Sequence, residues 1–266
     1  MNNIFDFKRF GNYFLYDLRN AKNNYALSLL ISGTLPIIVF VFAQLFNLIF
    51  LQQFHELNMV AKYMQLGIAT TVVILGAGAK LYGHLTEKRA GSNFLMIPAS
   101  TFEKWLSMML IVCIMLPISL IGLQLASDAL MSFFFPNLYG DRVLELTFLQ
   151  KIKDGMNAEG LYVNLEAIFI LDWISSILVF VLGAICFKKG KIGKTILCLF
   201  AFSTIFSTLA MVFFGHNGPD YIGFFDSLVD PIKAASFVNW LTNIYFFIII
   251  GGLLGGTYYR LRTLKH

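Results

Sequence analysis

Charge is scarce in this sequence: Asp, Glu, Lys and Arg together make up 13% of its 266 residues. A soluble domain carries roughly 25%, so a chain with water on every face is excluded. Cysteine is also scarce, with 3 residues, Cys113, Cys186 and Cys198. All lie in or at the ends of apolar runs and none forms a C-x-x-C pair, so neither a disulfide framework nor a metal site is expected. Histidine numbers 4, and His216 beside Asp220 has no clustered third ligand. A metal centre or an acid/base pair is therefore not expected there. Gly193-Lys194-Thr195 ends like a phosphate-binding loop, but Lys188 stands where that loop needs glycine, and an apolar helix precedes it instead of a strand. No nucleotide-binding or catalytic motif remains, and no cofactor is implied. Basic stripes with interleaved stacking aromatics are missing too, which excludes nucleic acid as a partner.

Apolar residues are what the chain has in excess, at 58%, with a mean hydropathy of +0.72. A helix needs roughly 20 apolar residues to cross a hydrocarbon core ~30 Å thick. Six stretches qualify, near 26–51, 64–82, 105–126, 165–187, 195–214 and 237–258. The fold class expected is an all-α integral membrane protein of six transmembrane helices, forming one domain over 25–266. The apolar run starts only near residue 26 and lacks a small-residue cleavage site, so no cleaved signal peptide is expected.

Basic residues set the expected orientation. Of 20 Lys and Arg, all but Lys62, Arg142, Lys151, Lys153 and Lys233 fall before the first span, between spans two and three or, for Lys80, at the adjoining end of span two, between four and five, or in the tail. By the positive-inside rule both termini are then cytoplasmic, in an inner or plasma membrane. The net charge of +5 reports this topology and an attraction to anionic membrane lipid.

Residues 1–24 are polar enough to stay out of the core. Phe7, Phe10, Phe14 and Leu18 recur at helical spacing with Lys8, Asn12 and Arg19 on other faces, the pattern of an amphipathic helix lying in the interface. Gly33 with Pro36, and Pro117, are expected kinks. Gly67, Gly76, Ala77 and Gly78, and the G-x-x-x-G pairs Gly251–Gly255 and Gly252–Gly256, invite close helix approach. Asp172 falls about 10 Å inside the fourth span at ~1.5 Å per residue. A carboxyl at that depth should face protein or water, and Asn239 and Asn243 of the last span are its candidate partners.

The connection between spans two and three is the most patterned part. Glu87, Lys88 and Arg89 form a charged patch; Ile97-Pro98-Ala99 is a rigid turn; Ser100 followed by Glu103 is a capping box, with Lys104 next to it. A helix therefore starts outside the lipid and continues into the third span.

Taken together, the flat N-terminal helix, the six spans and the stretch Met96-Ile97-Pro98-Ala99-Ser100-Thr101-Phe102-Glu103-Lys104 resemble the permease subunits of type-2 ATP-binding-cassette exporters. Pro98, Ser100 and Glu103 match an L-P-x-S-x-x-E-like stretch of that family, with Ile97 in place of leucine. The resemblance implies a substrate pathway formed by a homo- or heterodimer of permease chains and driven by a separate ATPase subunit. It also implies coupling through Glu87, Lys88, Arg89, Ile97, Pro98, Ser100, Glu103 and Lys104. The other readings are a non-transporting accessory or scaffold protein, then a secondary transporter using Asp172, and last an embedded enzyme.

Overall fold

The computed structural model describes residues 5–87, 91–92, 94, 96–140, 142–143, 165–214 and 231–264. Lys88 and Arg89 lie outside the described residues, as do His216 and Asp220. The described chain is all-helical, without strands.

Helix α1 (Phe7–Gly33) starts where the Asp6 carboxylate accepts the Arg9 amide at 2.9 Å, an N-cap. It runs unbroken through Lys22, Asn23 and Asn24 into the apolar region. The amphipathic segment and the start of the first span are thus one helix: polar residues change where a helix is comfortable without breaking it. The break comes at Thr34, and α2 (Leu35–Leu51) leaves at 48° to α1. Pro36 in the first turn of α2 has no amide to give the Ser32 carbonyl, and Thr34 Oγ1 turns back to the Leu30 carbonyl at 2.9 Å. A Cβ on Gly33 would collide with the side chain of Leu123, which belongs to the helix Leu116–Phe134, so glycine is what lets the end of α1 approach that helix.

Asn58 caps α3 (Met59–Leu81) by accepting the Val60 amide at 3.0 Å. A 3-10 turn follows at Gly83–Thr86, then α4 (Thr101–Leu110), a π segment (Ile111–Met115) and α5 (Leu116–Phe134). Pro117 explains the π segment: it cannot donate to the Cys113 carbonyl, and the Leu116 amide reaches back five residues to Ile111. The predicted kink is a widened turn in a continuous span. The remaining elements are the short α6 (Pro136–Tyr139), α7 (Leu165–Cys186), α8 (Lys191–Phe214) and α9 (Pro231–Arg262).

Among the described residues, five helices are long and apolar enough to cross a membrane, and the bent pair α1–α2 makes six if it counts as one span. The core is a seam of Val73, Ala77 and Leu81 of α3, Val112, Leu116 and Leu120 of the third span, and Ile177, Val181 and Ile185 of α7. Lipid is as apolar as these side chains, so close packing has to hold the seam. Gly78 supplies it: a Cβ there would lie 2.8 Å from the Phe180 carbonyl oxygen and the Val181 nitrogen, so α3 and α7 meet backbone to backbone. On α9, by contrast, a Cβ on Gly251, Gly252 or Gly255 would meet nothing within 4 Å, and only Gly256 approaches a neighbour, Leu182.

Candidate functional site

The N-terminal segment and the two connections predicted to be cytoplasmic meet at one end of the bundle, and the junction is built on Glu103. The sequence signal for its local geometry is the capping box, and both halves form. Ser100 Oγ accepts the Glu103 amide at 3.2 Å, and Glu103 Oε2 accepts the Ser100 amide at 2.8 Å. The rest of the carboxylate is taken by α1. Arg9 Nη2 donates to Oε1 at 2.8 Å and Arg9 Nε to Oε2 at 2.8 Å, while the Asp6 amide donates to Oε1 at 2.8 Å. Glu103 is fully buried and Arg9 about a third exposed, at 32%. This two-point geometry fixes direction as well as distance.

One turn further into the bundle a second carboxylate repeats the device without a cation. Asp17 is buried, and its Oδ2 accepts from Ser107 Oγ at 2.7 Å and Tyr82 Oη at 3.1 Å. It joins α1, α4 and the end of α3. Lys104 turns inward as well, donating to the Phe94 carbonyl at 2.7 Å with its ammonium 4.7 Å from the Phe94 ring. Trp105 Nε1 donates to Thr257 Oγ1 of α9 at 3.0 Å, and Lys191 Nζ to the Gly83 carbonyl at 2.6 Å. A run of rings, Phe10, Phe5, Phe102, Trp105 and Tyr258, lies across the same end at centroid spacings of 5.4 to 6.1 Å. Such rings suit a membrane interface.

Of the predicted coupling residues, Ser100, Glu103 and Lys104 therefore face into the protein. Glu87, Met96 and Pro98 are exposed, and Ile97 is half-buried. Ile97, Pro98 and Ala99 form one wall of an open cleft of about 510 Å³, with Lys8, Asn12 and Tyr16 of α1 opposite. His84 sits beside a smaller pocket of about 230 Å³ next to Asp17 and Tyr82. Burial pushes its imidazole below the ordinary 6.5; Glu87 opposes this and Lys191 adds to it.

Asp172 is exposed on α7, and among the described residues it makes no hydrogen bond to Asn239 or Asn243; its backbone carbonyl accepts from Ser175 Oγ at 2.9 Å. Among the described residues, Asp172, Asn239 and Asn243 are not joined by hydrogen bonds. A different polar cluster forms at the opposite end of the bundle. Lys62 is buried and donates to the Tyr139 carbonyl, with its ammonium 4.3 Å from the Tyr139 ring. Tyr139 Oη donates to Asp128 Oδ1 at 2.6 Å, and the Val143 amide to Asp128 Oδ2 at 3.0 Å. The sequence carried a signal for this cluster. Lys62 and Gln65 share the helical stripe of Ala69, Val73 and Ala77, and Asp128 that of Leu120 and Gln124.

Among the described residues no three His, Cys, Asp or Glu side chains gather as a metal would require. Charge-assisted bonds tie elements distant in sequence together at the Glu103 end of the bundle. No known protein family, curated protein or solved structure matches the chain.

Proposed function

We propose that this chain is the membrane-embedded permease subunit of an ATP-driven exporter, forming the substrate pathway with a second permease chain and moved by a separate ATPase subunit. The observation that carries the proposal is the Arg9–Glu103 junction at the start of the third span. A force applied to the Ile97–Ala99 turn enters α4 directly, since the Ser100 cap is its first turn. From there it passes to α1 through Glu103 and to α9 through Trp105 and Thr257. The cleft beside Pro98, with Met96 exposed at its edge, offers a partner a place to push. In this reading Pro98, Met96, Ile97 and Glu87 meet the ATPase. Glu103 and Lys104 transmit the movement from behind.

Both termini and the Ile97–Ala99 turn are assigned to the cytoplasmic side on the charge distribution. The test combines two measurements. A Met96→Cys variant in sealed cells should react with a membrane-impermeant thiol reagent only after the membrane is opened, against a background set by the three native cysteines. A tagged chain extracted in mild detergent should bring down a polypeptide that hydrolyses ATP. Labelling from outside, or an extract without ATPase activity, would overturn the proposal. The accessory-protein reading then stands in its place.

A further inference from the structure

Along one flank of the bundle α1 and the third span stand apart, leaving an open groove of about 620 Å³. Its walls are apolar: Ala26 and Leu29 of α1 on one side, Ile111, Met115 and Ile118 on the other. Ile111 and Met115 are the first and last residues of the π segment, so the widened turn that Pro117 imposes forms part of this wall. Arg19 and Lys22 line the end nearer the bundle's basic end, and both are exposed. Among the described residues neither has an ion pair or hydrogen bond within the protein.

The order of these residues along α1 matters. Lys22 lies one turn, ~6 Å, before Ala26, and Leu29 lies ~10 Å beyond Lys22 at ~1.5 Å per residue. Two cations therefore sit at the depth where apolar sequence begins, with an apolar trough running inward from them. A free anion would leave the trough unused. A neutral lipid would leave both cations uncompensated. One negative head on a hydrocarbon chain satisfies both halves.

We infer that this groove holds an anionic phospholipid from the leaflet that meets the bundle's basic end, its phosphodiester between Arg19 and Lys22 and one acyl chain lying between Leu29 and Ile118. The site goes beyond the transport proposal and needs no ATPase, only a membrane-embedded bundle. The bound lipid bridges α1 and the third span on the flank that the Arg9–Glu103 junction leaves open.

The experiment is thermal unfolding of the full chain in a neutral detergent, titrated separately with phosphatidylglycerol, phosphatidylcholine and inorganic phosphate. Phosphatidylglycerol should raise the midpoint saturably, and the other two should not. The Arg19→Gln, Lys22→Gln double variant should keep the lipid-free midpoint and bind phosphatidylglycerol about thirtyfold more weakly. An Ile118→Trp variant, which fills the trough and leaves the charges, should lose the response; if it fails to fold, the charge variant is read alone. Equal stabilisation by the two lipids would reduce the groove to ordinary lipid contact and overturn the inference. So would a phosphate response equal to that of phosphatidylglycerol, no response to any of the three, a double variant with unchanged affinity, or a folded Ile118→Trp variant that still responds.

Discussion

Arg9 and Glu103 are 94 positions apart in sequence, yet the guanidinium engages both carboxylate oxygens, Nη2 to Oε1 and Nε to Oε2, each at 2.8 Å. Glu103 is simultaneously the third residue of α4 and half of that helix's cap. A single side chain thus starts the third span and anchors the first.

Removing either partner leaves the other uncompensated. Arg9→Ala and Glu103→Ala should each lower the thermal midpoint, and Glu103→Ala should lower it more, because it also removes half of the α4 cap whereas Arg9 keeps contact with water. The double variant should cost less than the two singles together in thermal unfolding of the detergent-solubilised protein. Strict additivity would show that the pair does not hold the two helices. In vesicles containing the ATPase partner, Glu103→Ala should permit ATP hydrolysis while transport falls; unchanged transport would count heavily against the proposed lever.

Glycine at 78 and at 67 should behave oppositely. A side chain at Gly78 meets the α7 backbone, whereas a Cβ on Gly67 meets nothing within 4 Å. Gly78→Val should force α3 and α7 apart and cost about 3 kcal/mol or more, an overpacking effect that backbone atoms cannot relieve by changing rotamer. Gly67→Ala should be neutral or stabilise by up to about 1 kcal/mol through helix propensity. Thermal midpoints of the two variants in one detergent decide the matter, and similar losses would contradict the packing described.

At the other end of the bundle, Lys62→Ala should be among the more damaging substitutions in α3 because it empties a buried position and strips the Tyr139 carbonyl of a donor. We expect a loss of about 3 kcal/mol, combining a cavity with an unsatisfied acceptor. Tyr139→Phe, which removes only the hydroxyl bonded to Asp128, should cost about 1 to 2 kcal/mol. Protease resistance of the solubilised protein gives an independent ranking, and it should place Lys62→Ala below Tyr139→Phe.

His84 makes part of the stability depend on pH. Burial favours its neutral form in the folded protein, so the folded value lies below the 6.5 of the free side chain. Between those two values the unfolded chain binds more protons than the folded one, and stability rises with pH. The contribution is complete above about pH 6.5 and is lost as the pH falls toward the folded value. Cooling of the unfolding midpoint between about pH 7.5 and about pH 5 should be smaller in His84→Gln than in the parent. An identical slope in both would place the imidazole in a water-like setting.

What the sequence determined by itself is what short-range physics controls. The apolar runs reveal long spans because crossing lipid demands uninterrupted length, and Ser100 with Glu103 reveals a helix start because its bonds close over three residues. Pro36 and Pro117 mark the bend and the widened turn, since a missing amide acts within one turn of helix. The tertiary structure decided everything that needs two distant segments in one place. It chose Arg9 as the partner of Glu103, buried Asp17 between Tyr82 and Ser107, and gathered Lys62, Tyr139 and Asp128 while leaving Asp172 exposed. A helical stripe says which face is buried and stays silent on which helix lies opposite. That choice depends on how closely backbones can approach, and here Gly33 and Gly78 set the distances.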